Sequence, residues 1–173
     1  SLYRLQRRWT DAEPLFRQAL DIFRKQPAAN RLREAEVMSN LASLLQETGQ
    51  YADALSYSAR VLNILEKIPK IQSAFLAKAL NNAAALHSLT GHPAQAEPYL
   101  RRALTVAENA VGPEHPGVAG ILLNYAAVLR QIGRKGDAKR MEQRANAILE
   151  RNSRDNLLGY TVDVSDLSAH NGK

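Results

Sequence analysis

A chain of 173 residues, 45% hydrophobic and 23% charged, has the length and composition of one globular domain with a buried core, which excludes disorder throughout. Its longest apolar runs, such as the stretch around Val118 to Leu123, fall far short of the roughly 20 residues that span a bilayer. The absence of cysteine excludes a disulfide framework, a thiolate metal site and a cysteine nucleophile, and it fits the cytoplasm as well as an oxidising compartment.

The net charge of +6 is uneven, with −1 on residues 152–173 and +7 on residues 1–151. A basic body of this kind attracts anionic partners by long-range steering: an acidic peptide, nucleic acid or a membrane surface.

The predicted elements fall into rows of 42 residues. The stretch "AEPLFRQAL" at 12–20 returns as "AEPYLRRAL" at 96–104, and "ALSYSARVL" at 54–62 is a blurred copy between them. In that frame Ala12, Ala54, Ala96 and Ala138 share one column, Gly49, Gly91 and Gly133 another, and Asn40, Asn82 and Asn124 a third, without any insertion. Columns aligned in this way mark a repeat architecture, in which each unit hides its apolar face only against its neighbours.

The first row, residues 1–34, would begin about two residues before Ser1, which predicts a truncated initial helix and a chain cut from a longer parent. In the second row, residues 35–76, Val37, Met38, Leu41, Ala42, Leu44 and Leu45 recur at helical spacing. Then "ETGQY" interrupts, and Ala54, Leu55, Tyr57, Val61, Leu62, Ile64 and Leu65 mark another helix. Rows 77–118 and 119–151 follow the same pattern, so each row is a helix pair. The glycine column sits just past each first helix, where a left-handed residue satisfies the last carbonyls without a Cβ clash. Prolines in "KIPKIQ" at 67–72 and "VGPEHPG" at 111–117 place loops between pairs, because a proline ring inside a helix clashes with the preceding turn. Ala42, Ala84 and Ala126 are expected to face Ala12, Ala54, Ala96 and Ala138, letting paired backbones approach closely.

In the last row the apolar column Leu20, Leu62, Leu104 turns into Asn146, while Phe16 and Leu100 become Glu142. A polar outer face is what ends a stack, so residues 135–151 read as a cap. After residue 151 the period breaks. Tyr160, Val162 and Val164 alternate with Thr161, Asp163 and Ser165, which predicts an extended C-terminal tail over 152–173.

The stretches "NLASLLQETGQYADAL", "NNAAALHSLTGHPAQAEPYLRRAL" with "VGPEHPGVA", and "AEPLFRQAL" resemble tetratricopeptide repeats (TPR) of the 42-residue, kinesin-light-chain-like type, over residues 1 to about 151. The aromatic that this family carries near the second helix stands here as Trp9 and Tyr51 and is replaced by Pro93 and Lys135. The resemblance implies an all-α, right-handed α-α superhelix, a TPR solenoid of about three and a half helix pairs plus the tail. It also implies that the first helices line a concave face.

On that face the implied residues are Ser39, Asn40, Ser43 and Glu47, then Lys78, Asn81, Asn82, Ala85 and Leu89, then Leu123, Asn124, Ala127, Arg130 and Gln131. An amide is both donor and acceptor, so Asn40, Asn82 and Asn124 could pair with successive peptide groups of an extended ligand, as the matching asparagines of kinesin-light-chain-like repeats do. The alternative is that these amides bond locally and hold adjacent first helices in register. Lys78 and Arg130 would meet acidic side chains or a terminal carboxylate.

No catalytic constellation is visible. His87, His92, His115 and His170 lack paired-ligand spacing, and no phosphate loop, nucleophile elbow or dinucleotide fingerprint occurs, so neither enzyme activity nor a cofactor or metal is expected. The resemblance implies that His115, in the "GPEHP" loop, is a structural turn residue, while His87, in the column of Leu45 and Leu129, reads as a partly buried, hydrogen-bonded side chain.

The expected function is therefore a protein-interaction scaffold or adaptor that binds an acidic or extended peptide segment in the concave groove. A basic nucleic-acid-binding repeat protein is the alternative, prompted by the cluster Arg130, Arg134, Lys135, Lys139, Arg140 and Arg144. A further expectation is that residues 157–167 lie extended in a concave groove, folded back or donated to a neighbouring molecule, so that Tyr160, Val162 and Val164 support self-association.

Overall fold

Three left-handed glycines set the rhythm of the chain. Gly49, Gly91 and Gly133 have φ of 78°, 81° and 84°. Beyond each glycine the backbone turns back on the helix it has left: the N–H of Gln50 donates to Leu45, that of His92 to His87 and that of Arg134 to Leu129, all at 2.8 Å. Each bond satisfies a carbonyl that the helix end would otherwise orphan, and the next helix starts at once.

The computed structural model describes residues 2–24, 30–68 and 73–160, with side chains over 12–23, 30–68 and 73–154. Seven helices occur in them: α1 (Leu2–Arg24), α2 (Arg31–Glu47), α3 (Tyr51–Glu66), α4 (Ala74–Leu89), α5 (Pro93–Val111), α6 (Pro116–Gln131) and α7 (Lys135–Tyr160). Ser73 caps α4 by accepting from the Leu76 N–H at 3.2 Å, and His115 caps α6 by accepting from the Gly117 N–H at Nδ1, 3.0 Å away. The turn role expected of His115 is thus an N-cap.

The helices pair as α2–α3, α4–α5 and α6–α7, with α1 packed on α2, in one all-α superhelix. Contacts also run from α2 to α4 and from α4 to α6, which places these first helices together as the inner layer of the stack. Small residues permit the pairing: Ala54, Ala96, Ala138, Ala84 and Ala126 are completely buried. Around them Met38, Leu41, Leu45, Leu65, Leu76, Leu80, Leu86, Leu100, Leu122 and Leu129 are buried as well, each contributing about 1.5–3 kcal/mol by leaving water.

Two expectations are corrected. The predicted break after a truncated first helix is absent: α1 runs on from Leu2 to Arg24, because Arg7 holds the column in which later rows have glycine, and no residue there favours a left-handed turn. At the other end α7 continues to Tyr160, so residues 152–160 of the predicted tail are helical and the extended reading of 157–160 does not hold. Neither proline nor glycine interrupts α7 between Gly136 and Gly159, and its last part is tied to the loop before α6. Asn152 donates Nδ2 to the Glu114 carbonyl at 2.9 Å, and Arg151 pairs with the Glu114 carboxylate at 2.7 Å. Val162 and Val164, to which the self-association reading also appealed, lie outside the described residues, as does His170.

Candidate functional site

The inner faces of α4 and α6 enclose a groove of about 490 Å³. Its walls are short side chains, Ala74 and Ala77 from α4 and Gly117 and Gly120 from α6, while Ala107 and Val111 at the end of α5 close one side. Ile121 and Leu123 add larger apolar surface, and Lys78, Asn81, Asn124 and His115 supply the polar edge. Helical glycines and alanines hold back the walls, so a hollow opens between helices that elsewhere interdigitate.

Of the expected concave-face residues, Lys78, Asn81, Leu123 and Asn124 come together at this groove. Asn124 donates Nδ2 to Asn81 Oδ1 at 3.0 Å, and Ser88 donates Oγ to Gln131 Oε1 at 2.8 Å, so two side-chain bonds tie α4 to α6. Both are bonds of the local kind weighed for the asparagines. Asn82 is half-buried and lines a separate gap of about 10 Å³ with Ser39, Ala42, Ser58, Val61 and Ala79, which turns it toward the contact of α2, α3 and α4. Asn40 is exposed on α2, so the three asparagines of one column occupy three different environments.

The remaining expected residues stand apart from the groove. Ser43 is half-buried and donates Oγ to the Ser39 carbonyl at 3.1 Å, satisfying itself within α2. Glu47 is exposed at the end of α2. Arg130 pairs with Glu142 of α7, which commits it to the α6–α7 contact.

Sequence reasoning missed Gly117, Gly120, Ala74, Ala77 and Val111. For Ala74, Ala77, Gly117 and Gly120 the signal is available in retrospect as small residues at helical spacing on two first helices, but small residues also mark tight packing, and only the fold separates the two cases.

The arginines of the basic cluster are largely neutralised by neighbours. Arg134 bridges Glu97 at 2.7 Å and Asp137 at 2.6 Å, Arg140 also pairs with Asp137, and Arg144 meets Glu108 at 2.6 Å. Glu97 further accepts from Tyr125 Oη at 3.2 Å and from Arg101 at 3.1 Å. Burial alone would push the Glu97 carboxyl up, but the hydrogen bonds from Arg101 and Tyr125 and the charge of Arg134 outweigh it and hold the group below the usual carboxylate range. Asp137 is held low chiefly by its hydrogen bond from Arg134. These ion pairs join α5, α6 and α7 and leave that face far less cationic than its sequence.

His87 stacks on Tyr99 across the α4–α5 contact, with ring centroids 5.3 Å apart and planes 15° from parallel. Desolvation, with repulsion from His92 added, lowers its pKa below the ordinary value for histidine. Among the described residues no group of histidines and carboxylates is arranged to hold a metal ion, and no helix is long and apolar enough to cross a membrane.

Comparisons with known proteins agree with the fold. A search of curated proteins found no match. Among solved structures, BtubC (BKLC) from P. vanneervenii is 23% identical with a TM-score of 0.74, over 94% of this chain and 63% of that one. A kinesin-light-chain-like protein of Podosopora anserina with nearly identical TPR-like repeats is 18% identical with a TM-score of 0.69, over 88% of this chain and 72% of that one. PlcR of Bacillus thuringiensis, solved in complex with the peptide PapR7 and DNA, is 11% identical with a TM-score of 0.71, over 90% of this chain and 54% of that one. These likenesses are of fold. The tetratricopeptide repeat family model matches residues 1–67 and 75–151. With that match over most of its length and a 42-residue helix-pair repeat visible in both sequence and structure, the chain belongs to the tetratricopeptide repeat family.

Proposed function

We propose that this chain is a protein-interaction scaffold that holds an extended peptide segment against the inner faces of α4 and α6, with no chemistry of its own. The observation that carries this reading is the 490 Å³ groove, whose short apolar walls would take one bulky apolar side chain while Lys78 stands at its edge. The ligand chemistry that fits is an apolar anchor with a carboxylate nearby, since Lys78 acts as a point charge and the Asn81–Asn124 amides offer bonds to peptide groups. A repeat stack of this fold occurs with a peptide in the PlcR complex, which supports the reading without identifying the partner.

The test is an array of extended peptides, each with a central aromatic or leucine and flanks of either charge, titrated by fluorescence anisotropy. Acidic-flanked peptides should bind, and Lys78→Glu should weaken them by about tenfold while improving basic-flanked ones. Equal affinity of wild type and Lys78→Glu for every peptide would sink the groove assignment. A nucleic-acid-binding function is the weaker reading, because Arg130, Arg134, Arg140 and Arg144 are all paired with carboxylates. It would show itself as retention on nucleic acid with a steep dependence on salt.

A further inference from the structure

The repeat allows one junction of the stack to be read against the next. Six residues line the small gap where α2, α3 and α4 meet: Ser39, Ala42, Ser58, Val61, Ala79 and Asn82. One row on, the same columns of α4, α5 and α6 hold Asn81, Ala84, Leu100, Ala103, Ile121 and Asn124. That later junction is closed by bulk and by a direct bond. Leu100 is completely buried, Ile121 is 7% exposed, and Asn124 donates to Asn81 at 3.0 Å.

The earlier junction lacks both. Ser58 stands where the later row has Leu100 and Ala79 where it has Ile121, and Val61 in place of Ala103 restores only part of the lost bulk. The gap that remains, about 10 Å³, is about the room of one water molecule. Its polar lining is withdrawn from bulk solvent, with Ser39 and Ser58 only 6% and 5% exposed and Asn82 half-buried. Among the described residues neither serine hydroxyl nor the Asn82 amide has a hydrogen-bond partner in the protein. Yet among the same residues no fully enclosed side-chain oxygen or nitrogen lacks a partner, so the two hydroxyls are not sealed in and open onto the gap they line.

We infer that this gap is a built site for one ordered water, which bridges α2, α3 and α4 and makes the junction a hydrated joint in the stack. A water inside a protein typically makes about three hydrogen bonds, and three partners converge here: two hydroxyls, each able to donate and accept, and an amide with both functions. A hollow of this size lined by apolar groups alone would stay dry. One row later the link needs no water, because Asn81, in the column of Ser39, has the longer side chain and meets the asparagine of α6 directly. The exchanges therefore act together: Ser58 and Ala79 open the space, and Ser39 and Ser58 supply partners for its occupant. A bridging water can leave and return, whereas buried Leu100 and Ile121 hold their neighbours continuously, so the α2–α3 pair is held less firmly on α4 than the α4–α5 pair is on α6. The joint lies apart from the groove between α4 and α6 and does not rest on the function proposed for that groove.

A high-resolution crystal structure of the full chain should show solvent density within hydrogen-bond reach of Ser39, Ser58 and Asn82. Magnetic relaxation dispersion of water should count one more long-lived water in the wild type than in a variant that copies the later junction, Ser39→Asn with Ser58→Leu, Val61→Ala and Ala79→Ile. Hydrogen exchange in α2 and α4 should be slower in that variant. Ser58→Ala changes a single atom and keeps the test open where the larger change does not fold; it removes one of the three partners and should shorten the residence time of the water severalfold. An empty gap in the crystal, a direct hydrogen bond from Asn82 to either serine, or a water count and residence time unchanged by these substitutions would overturn the inference. Exchange in α2 and α4 as fast in the copied junction as in the wild type would overturn the joint.

Discussion

Asn124 on α6 donates its amide to Asn81 on α4 across 3.0 Å, at the edge of the groove that these two helices enclose. The pair stands at an exposed site, where water competes for both partners. Losing it should cost under about 1 kcal/mol of stability. For a ligand the same amides are worth more, because a peptide group that displaces the solvent there pairs with a donor and acceptor already held in place. Asn124→Ala is therefore expected to leave the melting temperature within a few degrees of wild type and to weaken groove peptides severalfold. A melt and a titration on one sample check both halves.

Gly120 separates stability from binding in the opposite sense. It lies inside α6, where glycine is unfavourable by about 0.5–1 kcal/mol relative to alanine, and a Cβ built there meets nothing within 4 Å. Gly120→Ala should raise stability by that amount in urea unfolding. Gly120→Phe projects a ring into the groove and should abolish peptide binding with the helix content unchanged by circular dichroism.

His87 gives the α4–α5 contact a pH dependence whose sign is fixed by its environment. Desolvation, and next the charge of His92, lower its folded pKa, so the unfolded chain binds the proton more readily than the folded one. Its neutral form favours folding fully above the ordinary histidine value near 6.5, and this contribution declines as the pH falls through that value toward the lowered folded pKa. His87→Leu, which restores the residue type of Leu45 and Leu129 in the same column, should flatten the fall in melting temperature between about pH 7 and pH 5.5. An unchanged slope would remove His87 from the account.

Much of the fold was legible because helix pairing is written in columns that sum over rows. Ala54, Ala96 and Ala138 repeat their identity and their burial, and Gly49, Gly91 and Gly133 repeat their left-handed turn. The site was less legible, because residues of one column need not share an environment. Asn82 turns toward Ser58 and Val61, while Asn124 meets Asn81, a neighbour from the adjacent column. The fate of Arg130 depended on Glu142 lying opposite it on α7, a pairing between helices that neither local spacing nor composition specifies. The helical extension to Tyr160 was missed for a similar reason: alternation of Tyr160, Val162 and Val164 suggested a strand, whereas the tether that favours helix comes from Asn152 and Arg151 reaching Glu114.

Ala96 tests the packing on which the stack rests. It is completely buried in the AEP segment of α5, and Ala84 on α4, the first helix of its pair, is also completely buried. Ala96→Leu inserts three carbons where interhelical distance is set by a methyl group, so the helices must separate or neighbouring leucines must leave their rotamers. Either response should cost about 1–3 kcal/mol. Because neighbouring pairs share interfaces in a solenoid, the cost should appear as faster hydrogen exchange in α4 and α5 and in the adjoining α6, more than in α1 and α2. A melt and exchange profile matching wild type would mean that the alanine columns do not govern the approach of the helices.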